Sequence, residues 1–170
     1  MWRKKYFLPD ILCILTWLIV APACAQAGAP GEIPALAPAL DLAADGRQAR
    51  RLHAPVMILF SESWCPWCER VRREYLLPMQ NDSSYRDRVL IREVDAASGA
   101  ALTDFSGAAT TQKIFAARFN VRRVPVIVLL GPDGELLSEP MVGMALPDFY
   151  QAYLDEAINS GRRKLGAGTR

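Results

Sequence analysis

Histidine is almost missing from this chain of 170 residues, with His53 alone, and cysteine occurs only as Cys13, Cys24, Cys65 and Cys68. A zinc or iron–sulfur site on Cys65 and Cys68 needs a second pair of ligands. None stands in the body of the chain, so no metal is assigned. An excess of one charge is lacking too: 20 Lys and Arg face 18 Asp and Glu. Residues 1–27 hold three of the bases and one of the acids, leaving 17 of each. The near-neutral remainder has no basic field for nucleic acid. The apolar run Ile11 to Val20 is too short to span a bilayer comfortably.

That run does fit an export signal. Arg3, Lys4 and Lys5 precede it, and Ala25-Gln26-Ala27 follows as an A-x-A cleavage site. Residues 1–27 are therefore predicted to be a signal peptide, removed after Ala27. A membrane anchor is the alternative. Ala21-Pro22-Ala23-Cys24 has the outline of a lipid-attachment box but lacks an aliphatic residue three before Cys24. Export removes Cys13 and Cys24, so the mature chain keeps only Cys65 and Cys68. In an oxidising compartment such a pair is available for thiol exchange.

What is present centres on Ser63-Trp64-Cys65-Pro66-Trp67-Cys68. The apolar run Val56 to Phe60 gives way there to Glu69 to Leu77, rich in helix formers, so the pair is predicted at a helix start. Unpaired N–H groups and the positive end of the helix dipole favour the Cys65 thiolate, making it the nucleophile. Pro66 suits the first turn and stiffens the loop. Cys68 becomes the resolving thiol. A purely structural disulfide across so short a loop removes little unfolded-state entropy.

Along the chain, 28–40 is rich in Ala, Pro and Gly and is predicted to be a flexible linker, followed by a domain over 41–160 and a basic tail over 161–170. Asp41 to Leu52 is expected to be a helix bent near Gly46, with His53 solvated at its end. Val56–Phe60, without alternation, is expected at the centre of a covered sheet. In the next helix Cys68, Val71, Tyr75 and Leu76 share one face, Glu69 can pair with Arg73, and Pro78 breaks or kinks it. Val89 to Val94 is a strand, Asp95 to Gly107 a long connection, and a helix from Thr110 or Thr111 turns Ile114, Phe115, Ala117 and Phe119 inward. Val126 to Leu130 is a second buried strand. Gly131-Pro132-Asp133-Gly134 is a turn, after which Glu135–Ser138 and Met141–Gly143 are predicted to pair. Asp148 to Ser160 is an amphipathic helix burying Phe149, Tyr153, Leu154 and Ile158, stopped by Gly161.

This order gives an α/β fold, a central mixed β-sheet with helices on both faces. The strand before Trp64-Cys65-Pro66-Trp67-Cys68, the segment Phe119-Asn120-Val121-Arg122-Arg123-Val124-Pro125 and the Gly131–Gly134 turn resemble those of exported thioredoxin-like proteins over Asp41 to Ser160. The likeness is greatest to periplasmic thioredoxins of sulfur-oxidation systems. The resemblance implies the thioredoxin fold, a periplasmic location, and a cis Pro125 facing the two sulfurs. It leaves the Val124 backbone free to pair with a substrate strand. Trp64, Pro66, Trp67 and Val124 are the expected substrate contacts. Where cytosolic thioredoxins carry a buried aspartate six residues before the first cysteine, this chain has Leu59. Glu62 is the candidate proton relay in its place.

The expected activity is thiol–disulfide exchange, with Cys65 attacking a protein or small-molecule disulfide and Cys68 releasing the product. It needs no metal or organic cofactor. The Trp before the first cysteine favours a reductase; an oxidase or isomerase is the alternative, as is a Cu(I)-binding module, for which no Met- or His-rich cluster stands near the pair. The expected partners are a disulfide-containing protein substrate and a membrane thiol-transfer reductase as electron donor.

Overall fold

The computed structural model describes residues 35–144 and 147–167. The predicted leader and residues 28–34 of the predicted linker lie outside them. Helix α1 (Leu42–Leu52) starts where Asp41 Oδ1 accepts the Ala44 N–H at 2.8 Å and ends at His53, exposed, in the left-handed region at φ 49°. It runs through Gly46 without interruption. The glycine is needed for close approach: a Cβ there would fall on the Pro132 carbonyl oxygen.

Strand β1 (Val56–Ser61) is the sheet's hydrophobic axis, buried at every position. It pairs in parallel with β2 (Leu90–Asp95) and antiparallel with β5 (Val126–Leu130), which in turn pairs with β6 (Met141–Val142), giving the order β2-β1-β5-β6. Alternation along β1 feeds two cores. Met57 and Leu59 join Val71, Leu76, Leu154 and Ile158 on one face, and Val56, Ile58 and Phe60 join Leu42, Ala49 and Phe115 on the other. Burying both faces explains why the strand reads as an unbroken apolar run.

The helix after the cysteines consists of α2 (Pro66–Val71), a π-helical turn (Arg72–Leu76) and α3 (Leu77–Asn81). Pro78 neither ends nor breaks it. The π-turn, where the Leu77 N–H reaches back to the Arg72 carbonyl, ends two residues before the proline, whose ring would clash with the carbonyl four residues back in a regular helix.

Further expectations need correction. The described part of the predicted linker, 35–40, is not loose: Leu36 and Ala39 are buried, and Ala39 N–H and Ala37 C=O bond the Glu93 backbone at 2.9 Å each, covering the outer edge of β2. The Asp95–Gly107 connection contains β3 (Ala101–Thr103), which pairs with β4 (Ala109–Thr111) in a separate hairpin. Helix α4 (Gln112–Ala117) buries Gln112, Phe115 and Ala116, whereas Ile114 and Ala117 face solvent, because packing against the sheet selects a different face of the helix. Glu135–Ser138 and Met141–Gly143 do not pair with each other; both lie along β5, Leu136 beside Leu130 and Val142 beside Val126. Finally, α5 (Tyr150–Ala167) runs through Gly161, so the predicted tail is helical as far as residue 167. Leu154 and Ile158 are buried, but Phe149 and Tyr153 are exposed and Tyr150 takes the inward place.

Candidate active site

The C-terminal ends of parallel β1 and β2 meet the start of antiparallel β5, since Ser61 lies beside Asp95 and Phe60 beside Val126. The loop 62–65 leaves β1 from this end, and Pro125 enters β5 at it. Strand pairing thus brings the cysteine segment and the Val124–Pro125 peptide to one end of the sheet from 60 residues apart in sequence. That peptide bond is cis.

Cys65 and Cys68 are joined in a disulfide with their Cα atoms 5.2 Å apart. Cys65 is the N-cap of α2: its backbone is extended, and its Sγ accepts the Cys68 N–H at 3.0 Å. Pro66 takes the first helical position, where a missing N–H is harmless. The two sulfurs are unequal in access, because Cys65 is half-buried and Cys68 fully buried. A donor aimed at the Cys65 sulfur and a helix start behind it both stabilise negative charge on that sulfur once the bond opens. Trp64 and Trp67 stand out from the surface, 95 % and 56 % exposed, and so do not serve to pack the helix against the sheet. Val124 is half-buried, and its N–H and C=O have no hydrogen-bond partner among the described residues.

The helix that carries Cys68 also carries a charged network that sequence reasoning missed. Arg72, one helical turn after Cys68, donates from Nε to both Glu93 carboxylate oxygens at 3.2 and 3.1 Å and from a terminal nitrogen at 2.5 Å. It also bonds Glu69, and Ser61 Oγ donates to Glu93 at 2.6 Å. Hydrogen bonding to Glu93, opposed by burial and aided by the charges of Glu93 and Glu69, raises the Arg72 pKa above its ordinary value. The expected Glu69–Arg73 pair exists only as an exposed contact at 3.9 Å. The signal for Arg72 was its place four residues after Cys68; Glu69 is a local partner on the same helix, but Glu93 comes from β2 and was not local.

An open cavity of about 280 Å³ adjoins this network, lined by Leu36, Pro38, Ser61, Glu62, Ser63, Arg72, Glu93, Asp95 and Gln112. Glu62 is exposed there, and its backbone carbonyl accepts the Cys65 N–H at 3.2 Å. Among the described residues no group of three or more His, Cys, Asp or Glu is arranged to hold a metal ion, and no helix is long and apolar enough to cross a membrane.

Residues 42–158 match the family model described as a thioredoxin-like domain. Solved structures similar to this chain include mitochondrial thioredoxin 3 from Saccharomyces cerevisiae in its oxidised form, at 19% identity over 73% of this chain and 93% of that one, TM-score 0.48. Thioredoxin NaTrxh from Nicotiana alata shares 17% identity over 78% and 99% of the respective chains, TM-score 0.48. Trxlp from Edwardsiella tarda shares 26% over 65% and 91%, TM-score 0.45. No curated protein sequence matches.

Proposed function

This chain belongs to the thioredoxin-like domain family and, with its Cys65–Cys68 pair at disulfide distance, is a thiol–disulfide oxidoreductase; from that premise we propose that it is exported and reduces protein disulfides. The observation that carries the reading is the inequality of the two sulfurs, one reachable and one enclosed. In the reduced protein the Cys65 thiolate attacks one sulfur of the substrate disulfide, and the other leaves as a thiolate that takes a proton. Cys68, deprotonated, then attacks the Cys65 sulfur. The second substrate thiol departs and the protein disulfide closes, two electrons having passed to the substrate. The buried Cys68 meets no foreign disulfide and acts only in this internal step.

Val124, with its free backbone groups, and Pro125 receive the substrate strand, while Trp64, Pro66 and Trp67 line its path. Leu59 stands where a buried acid would serve, and Glu62, exposed at the cavity mouth, relays the Cys68 proton through water. Periplasmic work of this kind draws electrons from a membrane thiol-transfer reductase. A place beside sulfur-oxidation systems is the finer form of the same reading.

The test is the reduction potential of the pair together with insulin-disulfide reduction. We expect a potential below about −200 mV and turnover that Cys65→Ser abolishes, whereas a value near the roughly −120 mV of a strong oxidant reverses the proposed direction. In Glu62→Gln the mixed disulfide should resolve more slowly; an unchanged rate removes Glu62 from the mechanism. Cell fractionation with N-terminal sequencing checks export, which predicts a mature start at Gly28.

A further inference from the structure

The surroundings of the disulfide carry charge of opposite sign on two sides. On the β2 side stand Glu62 and Asp95, on the cavity already described. On the β5 side the chain runs through Arg122 and Arg123 directly into Val124. Both arginines are exposed. Arg122 donates from Nε to Asn120 Oδ1 at 2.9 Å, a bond that leaves its charge unbalanced, and Arg123 makes no side-chain hydrogen bond or ion pair among the described residues. The neighbouring helix differs, since Arg70, Arg72 and Arg73 each face a carboxylate.

We infer that the preferred substrates are protein disulfides flanked by acidic side chains. The inference rests on the reductase reading above. A substrate strand that pairs with the free Val124 backbone carries the residues beside its cysteine past Arg122 and Arg123. Acidic side chains there meet two cations that have no carboxylate of their own, and basic ones are repelled. Trp64 and Trp67 offer apolar surface to either kind of strand and so do not discriminate by charge. Such pairs at an exposed rim act mainly on the rate of productive encounter and are screened by salt.

The full chain with Cys13→Ser and Cys24→Ser, reduced beforehand, is mixed with three synthetic peptide disulfides that differ only in flanking residues: Asp and Glu, Ser and Gln, or Lys and Arg. A single turnover oxidises Cys65 and Cys68 and yields two peptide thiols, so no electron donor is needed. The second-order rate is followed by tryptophan fluorescence. Two exposed charge pairs correspond to roughly a 2- to 30-fold advantage of the acidic over the basic peptide at low salt. That ratio should shrink towards one at 1 M salt and invert in the Arg122→Glu, Arg123→Glu double variant; Arg122→Gln, Arg123→Gln should bring it near one. An inverted ratio cannot arise from misfolding, which slows all three peptides together. Equal wild-type rates, or a preference indifferent to salt and to both double variants, overturn the inference while leaving the reductase reading intact. If none of the peptides oxidises the dithiol, the reductase reading itself fails and takes the inference with it.

Discussion

Asp104, beside the β3–β4 hairpin, and Glu93, at the active end of the sheet, are both carboxylates held by arginine, yet they are enclosed in different ways. Asp104 is buried and saturated from nearby: Ser106 N–H at 2.9 Å, Ser106 Oγ at 2.6 Å and Ala108 N–H at 3.0 Å, with Arg118 at 2.7 Å as the one distant donor. Those bonds, the Ser106 hydroxyl and Arg118 foremost, hold its pKa down at about 2. Glu93 is served entirely from afar, by Ser61 on β1 and Arg72 on the active-site helix, and borders an open cavity. A carboxylate satisfied by its own loop holds that loop's shape. One satisfied across three elements holds the elements together, here the strand end before the cysteines and the helix after them.

The largest expected effect tests the closed side of this contrast. Asp104→Ala strips the acceptor from two backbone N–H groups and should cost about 2–4 kcal/mol, read from the denaturant midpoint. Its pH dependence has a definite sign. Because the folded pKa is depressed, the stabilisation is fully present above the ordinary value of 3.8 and is lost as pH falls through about 2. The stability difference between wild type and Asp104→Asn should therefore be flat near neutrality and narrow only below about pH 4. Next comes Arg72→Met, which leaves Glu93 half-enclosed without its cation. A loss of about 1–3 kcal/mol is expected, together with a changed reduction potential of the cysteine pair, which Asp104→Ala should leave alone. If both variants move the potential equally, the two networks are not functionally distinct. The smallest effect is Ser61→Ala, removing one hydrogen bond to Glu93, at about 0.5–1.5 kcal/mol.

Legibility in the sequence followed the same division between near and far. The pair Cys65 and Cys68 at a helix start, the continuous apolar strands β1 and β5, and the Gly131–Gly134 turn all rest on residues within a few positions of one another. The β3–β4 hairpin was missed because Ala101-Leu102-Thr103 and Ala109-Thr110-Thr111 are short and carry little apolar periodicity; the turn-forming Asp104 to Gly107 was the only hint. Residues 35–40 looked like linker because Ala and Pro are small, yet their backbone serves the free edge of β2, where Pro38 needs no N–H. Gly161 looked like a helix stop but gives close passage beside Leu137 and Pro55, and Lys164 Nζ one turn on donates to the Leu137 carbonyl.

By itself the chain's order of residues determined which strands are buried on both faces and where the helix with the cysteines begins, because each depends on periodicity and capping acting over a turn or two. Only the tertiary structure decided that Glu93 of β2 meets Arg72 of that helix, that Val124 keeps its backbone unpaired at the same sheet end, and that two short segments share the edge of β5. Contacts between separate elements are selected by packing and by competition for a strand edge, and no local pattern records the outcome.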